Sequence, residues 1–166
     1  MRRIDWIILH CTAGPQYQTI QVIKDYWKNE LGWKNPGYHY LIPAAGGYEK
    51  IFPIERISNG VDGHNAHSVN IAYIGGVDIV KAKDHNGKSI NVVGKAIDNR
   101  TAEQIADQIT IIKKLRALFP KAKIRGHRDF SPDKNHDGII QPNEWMKACP
   151  SFDVITWCKS VGIDPL

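Results

Sequence analysis

Two histidines and a cysteine, His10, His127 and Cys149, are the residues of this chain whose types and placement could do chemistry together. Taken singly, a histidine or cysteine at the end of a strand is more often a packed or capping residue. Their settings say more. The run from Ile4 to Thr12 alternates and is rich in Ile and Trp, which predicts a strand ending at His10, and a short strand from Lys123 to Gly126 leads to His127. Cys149 stands before Pro150-Ser151, where a last helix is expected to begin, and a helix N-terminus lowers a thiol pKa and favours thiolate. Two imidazoles and one thiolate make three ligands for zinc. The fourth tetrahedral position is then left to water, the arrangement of a catalytic rather than a structural site.

Other elements must hold these three residues together. Thr19 is expected to cap a helix carrying Ile20, Ile23, Tyr26, Trp27 and Leu31, with Gly32 as its stop. Pro36-Gly37 turns the chain into a strand from Tyr38 to Ile42, and Gly46-Gly47 turns it again into Tyr48 to Phe52. A further strand is predicted from Asn70 to Val77, and the polar stretch from Lys81 to Lys95 reads as a surface loop or hairpin. Thr101-Ala102-Glu103-Gln104 spells a capping box. It opens the longest helix, with Ile105, Ile109, Ile112, Leu115 and Phe119 on the inner face, until Pro120 ends it. The last helix would bury Val154, Trp157 and Val161. Strands alternating with helices predict an α/β fold: one domain over residues 1–166, a central mixed β-sheet flanked by helices, with the zinc site at strand ends.

Composition agrees with an ordinary globular protein. The 166 residues are 42% apolar and 23% charged, enough for one domain with a real core. A net charge of +5 would favour a polyanion, but it is spread thinly. The clusters Lys113-Lys114-Leu115-Arg116 and Lys121-Ala122-Lys123 read as a solvated helix face, so no nucleic-acid partner is expected. Three cysteines at irregular positions make no disulfide framework; Cys11 and Cys158 read as small buried apolar residues. After Met1-Arg2-Arg3, Asp5 breaks the apolar run and His10 ends it, so no signal core or membrane span is read. The expectation is synthesis in the cytoplasm with another route to the substrate, or loss of a leader.

Between His127 and Lys147 runs Asp133-Lys134-Asn135-His136-Asp137-Gly138-Ile139-Ile140-Gln141-Pro142-Asn143-Glu144. It matches the 12-residue calcium loop: oxygen side chains from Asp133, Asn135 and Asp137 at positions 1, 3 and 5, Gly138 at 6, the Ile139 carbonyl at 7, an apolar residue at 8, Gln141 at 9 and Glu144 at 12. The plain alternative is a polar surface loop. Ser131-Pro132 before it makes an entering helix doubtful.

Four segments carry a family resemblance: Ile8-Leu9-His10-Cys11-Thr12-Ala13, Gly37-Tyr38-His39-Tyr40, Gly75-Gly76-Val77-Asp78 and Lys147-Ala148-Cys149-Pro150-Ser151-Phe152-Asp153. From about residue 4 to residue 160 the chain resembles the type 2 N-acetylmuramoyl-L-alanine amidases, a family that includes amidase-type phage lysozymes and animal peptidoglycan recognition proteins. The resemblance implies a zinc enzyme that cuts the lactyl-L-alanine amide of peptidoglycan or muropeptides, works at the cell wall and acts as a monomer. It implies zinc on His10, His127 and Cys149, with Tyr38 and Lys147 as catalytic partners. Without it, a surface lysine and a tyrosine on a half-buried strand would be the plainer readings. His64 loosely matches a family histidine near the substrate groove, and His39, facing away from Tyr38, reads as structural. The calcium-loop segment is an insertion relative to the compact phage enzymes. Some relatives bind peptidoglycan without cutting it and typically lack a zinc ligand, whereas this chain keeps all three.

Overall fold

Ile7, Ile8 and Leu9 are wholly buried because the strand they form lies in the middle of the sheet, with neighbours on both edges and helices over both faces. In this computed structural model, which describes residues 2–166, that strand is β1 (Trp6–Cys11). The elements that follow are α1 (Ile20–Asp25), β2 (Tyr40–Ile42), β3 (Glu49–Lys50), β4 (Ser68–Tyr73), β5 (Val77–Lys83), β6 (Ser89–Ala96), α2 (Ala102–Leu118), β7 (Lys123–Gly126) and α3 (Val154–Ser160). The main sheet runs β3-β2-β4-β1-β7. β1 is parallel to β4 and β7, β2 is parallel to β4, and β3 turns back antiparallel on β2, so the sheet is mixed as expected.

Side chains alternate across β1, and each set meets its own layer. Ile7, Leu9 and Cys11 pack with Ile111, Ile112 and Leu115 of α2 and with Val154 and Cys158 of α3. On the opposite face, Leu41, Ala72 and Ile74 meet Ile23 and Trp27 of the first helix. Thr19 caps α1 by accepting from the Val22 N–H, and the helix continues through a wider turn from Tyr26 to Glu30. Of the apolar residues placed on this helix above, Ile23 and Trp27 are buried, while Tyr26 and Leu31 are exposed.

Three further expectations are corrected. The capping box at Thr101 forms, but the buried stripe of α2 is Gln104, Gln108, Ile111, Ile112 and Leu115, with Ile105, Ile109 and Phe119 only half-buried. Gln104 turns inward, and its Nε2 donates to the carbonyls of Ile42 and Ile74 at the ends of the strands. The predicted strand from Asn70 to Val77 breaks at Gly75 and Gly76, whose φ values of +141° and +96° favour glycine, and β5 then pairs with β6 as a separate hairpin across the Lys81–Lys95 stretch. The last helix begins at Val154 with Asp153 as its cap, accepting from the Thr156 N–H, and Val161 is half-buried. Cys149 therefore lies upstream of the cap, and the helix dipole does not account for its ionisation.

Candidate metal centre

The parallel pairing of β1 with β7 sets the centre. Leu9 lies opposite Gly126, so the residues that follow each, His10 and His127, emerge side by side, their rings 4.9 Å apart between centroids. Cys149 arrives from the other side of the sheet end. Its carbonyl accepts from the Arg128 N–H at 2.8 Å and its Sγ from the Cys11 N–H at 3.2 Å. These bonds leave Sγ 3.8 Å from His10 Nδ1, close to the roughly 3.6 Å edge of a tetrahedron built on zinc's usual Zn–N and Zn–S bond lengths. One ligand atom from each of His10, His127 and Cys149 lies within 4.8 Å of the others.

His10 is held by a residue that sequence reading passed over. Asn70 of β4 pairs with Ile8, two residues before His10, so both side chains project from the same sheet face. His10 Nε2 donates to Asn70 Oδ1 at 2.9 Å, which fixes the tautomer and leaves Nδ1 with its lone pair toward Cys149. Asn70 Nδ2 in turn donates to Ser58 Oγ and Ser68 Oγ. Space for that carboxamide exists because residue 60 is glycine: a Cβ there would lie 2.3 Å from it. His39 is buried behind, accepting the Asn70 backbone N–H at Nδ1 and donating from Nε2 to the Arg56 carbonyl, a structural role as expected. The one sequence signal for Asn70 was an amide in an otherwise apolar strand. Asn70→Ala should lower zinc affinity about 10- to 100-fold while the chain stays folded. Competition against a chromogenic chelator measures this, and parental affinity would remove Asn70 from the centre.

The electrostatics suit a cation. Burial pushes the His10 imidazole well below its ordinary pKa, with His127 and Lys147 adding to the effect, and burial with Lys147 lowers His127 to about 4. Both rings are thus neutral near pH 7, as metal ligands must be. Burial together with the neighbouring Cys11 pushes the Cys149 thiol well above its usual range, and Lys147 only partly opposes this. A thiolate so enclosed needs a cation beside it. Zinc is the ion whose preferred donors are this set of two nitrogens and one sulfur.

The centre opens into a cleft of about 160 Å³ whose walls include Trp27, Trp33, Tyr38, Asn59 and Lys147. Tyr38 packs its ring 4.8 Å from that of His10, and its hydroxyl donates to the Cys11 carbonyl at 3.4 Å. Burial, then the two cysteines, push its phenol well above the ordinary value, so it stays protonated. Lys147 is exposed at the rim. Two larger hollows adjoin the cleft, and Trp33 borders all three. His64 lies elsewhere: its ring stacks 4.5 Å from Phe130, and it is not among the residues of the cleft wall. Asp133, Asn135, Asp137, Ile139, Gln141 and Glu144 lie together in one loop between His127 and Lys147.

A sequence profile described as N-acetylmuramoyl-L-alanine amidase matches residues 1–151. An uncharacterized protein of Haemophilus influenzae is 40% identical over 116 residues, which are 68% of this chain and 89% of that protein. The endolysin of Enterobacteria phage K11 is 30% identical over 153 residues, 92% of this chain and 83% of the endolysin. Among solved structures, an endolysin from a Thermus scotoductus bacteriophage superposes with a TM-score of 0.67 at 24% identity, covering 99% of this chain and 88% of that one.

Proposed function

Because the chain belongs to the N-acetylmuramoyl-L-alanine amidase family, we propose that it is a zinc enzyme that hydrolyses the amide between the lactyl group of muramic acid and L-alanine in peptidoglycan. The observation that carries the zinc reading is the cluster of His10, His127 and Cys149, of which His127 and Cys149 line the cleft and His10 is buried behind them. Zinc held there would act as a Lewis acid, lowering the pKa of a coordinated water from about 15.7 to roughly 7. The side chains around it supply the rest. Lys147, a cation bordering the cleft, would stabilise the negative charge that develops on the carbonyl oxygen during attack. Tyr38 keeps its proton and offers a hydrogen bond to the water or to that oxygen. Trp33, bordering the cleft and both hollows, presents a flat apolar surface for sugar or peptide. His64 would act through Phe130, the last residue of the short turn that begins at His127. The substrate places the site of action at the cell wall.

Mass spectrometry of peptidoglycan digested by zinc-loaded protein tests this reading. Peptides with a free L-alanine amino group should appear, together with intact glycan that retains its lactyl groups. Cleaved glycan with the stem peptides still attached, or no product at all with zinc saturating, would refute it.

A further inference from the structure

We propose that residues 133–144 form a calcium site that fastens the chain segment leading into Lys147 and Cys149. The observation that points to a cation is Asp133. Its Oδ2 accepts from the Gly138 N–H at 2.8 Å, while Oδ1 is shut away from solvent with no hydrogen-bond donor at all. A carboxylate oxygen that has lost water and gained no partner is costly unless a cation meets it. Glu144, the twelfth position, is 2% exposed, and its carboxylate reaches both ends of the loop: Oε1 accepts from the Lys134 and Asn135 N–H groups and Oε2 from that of Gln141. Asp137 lies between them, its Oδ1 accepting from the Ile139 N–H and its Oδ2 from the side-chain amides of Asn135 and Gln141. The sixth position, Gly138, takes φ +82°, the sharp turn that this register requires of glycine.

The ligand chemistry selects the ion. The donors are carboxylate, amide and carbonyl oxygens without nitrogen or sulfur, in the order of the 12-residue calcium loop, which favours calcium over zinc and over magnesium. No long helix enters or leaves this loop. A short turn from His127 to Phe130 precedes it and another from Pro142 to Glu144 closes it. The stem is tied elsewhere: the Met146 N–H donates to Ser131 Oγ at 3.1 Å, and the Arg128 guanidinium lies 4.1 Å over the Trp145 ring. The loop thus stands between His127 and Cys149, and ordering it shortens the free connection between them.

The test uses the full chain with zinc saturating, freed of calcium on a resin rather than with a soluble chelator, so that the proposal does not depend on whether the amidase reading holds. Calorimetry with calcium chloride should show one saturable site. Terbium added in place of calcium should give luminescence sensitised by Trp145. The melting temperature should rise by about 5 to 10 °C when free calcium is about 100-fold above Kd. Asp133→Asn and Glu144→Gln should each abolish the rise while zinc content stays at the parental level. If Glu144→Gln does not fold, Asp133→Asn decides, since it keeps the shape and removes the charge of the carboxylate whose Oδ1 is buried without a partner. Absence of saturable binding up to millimolar calcium, unchanged binding in Asp133→Asn, or an equal response to magnesium would each overturn the proposal.

Discussion

Cys149→Ala protein should carry far less than one equivalent of zinc and hydrolyse peptidoglycan more than about 10⁴-fold more slowly than the parent, because the group that makes water a nucleophile at neutral pH departs with the ion. The two remaining imidazoles cannot compensate. His10 and His127 provide neutral nitrogens, whereas Cys149 alone among the three can bring a formal negative charge to the metal. The fold should survive: the replaced side chain is small, and the surrounding contacts come from β1, α2 and α3. Its local losses are the Sγ contact with the Cys11 carbonyl and the acceptor for the Cys11 N–H, the latter on the order of 1 to 3 kcal/mol if that donor stays unpaired. Metal analysis after gel filtration, circular dichroism and a turbidity assay on cell walls give the three readouts. Stoichiometric zinc with parental turnover in this variant would end the zinc model.

Lys147→Ala and Tyr38→Phe should separate catalysis from metal binding. Neither side chain belongs to the ligand cluster, so zinc content should stay near one equivalent in both. Turnover should fall about 100- to 1,000-fold in each, the cost of losing one preorganised group aimed at a developing oxyanion. Tyr38→Phe is the cleaner change, because the ring that packs on His10 and Trp27 is retained and only the hydroxyl is lost. Lys147→Ala removes a positive charge that, with burial, holds both imidazoles below their ordinary range. Steady-state kinetics on a soluble muropeptide, with metal analysis in parallel, decide the matter. Parental kcat in both variants would exclude the two residues from the reaction.

The candidate metal cluster, His10, His127 and Cys149, could be read from the sequence because it sits where local signals are strongest. His10 is the next-to-last residue of the apolar β1 and His127 directly follows the short β7, and the capping box at Thr101 fixes the start of α2 without reference to the rest of the fold. Features set by register or by distant partners were not legible. Asn70 becomes a partner of His10 only once β4 lies beside β1, and nothing within β4 announces that alignment. The inner face of α2 was read only in part, with Ile112 and Leu115 but not Gln104 and Gln108, because apolar spacing was weighed and the strand-end carbonyls that Gln104 reaches were not. Cys149 was read beside a helix start because proline often opens one, yet Asp153 provides the cap and shifts the start downstream. Trp33 gave no periodic signal because it lies in the loop after the first helix, and only the folded surface puts it beside the cleft.

The pairing of Trp6 with Lys123 joins the first strand of the chain to the last strand of the sheet, and the metal ligands straddle that junction. During synthesis, His10 leaves the ribosome long before the residues it must meet, and a nascent chain that has not yet exposed Cys149 offers two imidazoles and no thiolate. Contacts so distant in sequence form late, after loop closure has been paid in entropy. Ion uptake therefore belongs to the end of folding, and its free energy accrues to the closed sheet rather than to any fragment. The ion would serve as a latch between the two ends of the polypeptide, adding its binding free energy to a sheet that the chain's own pairing and packing already close.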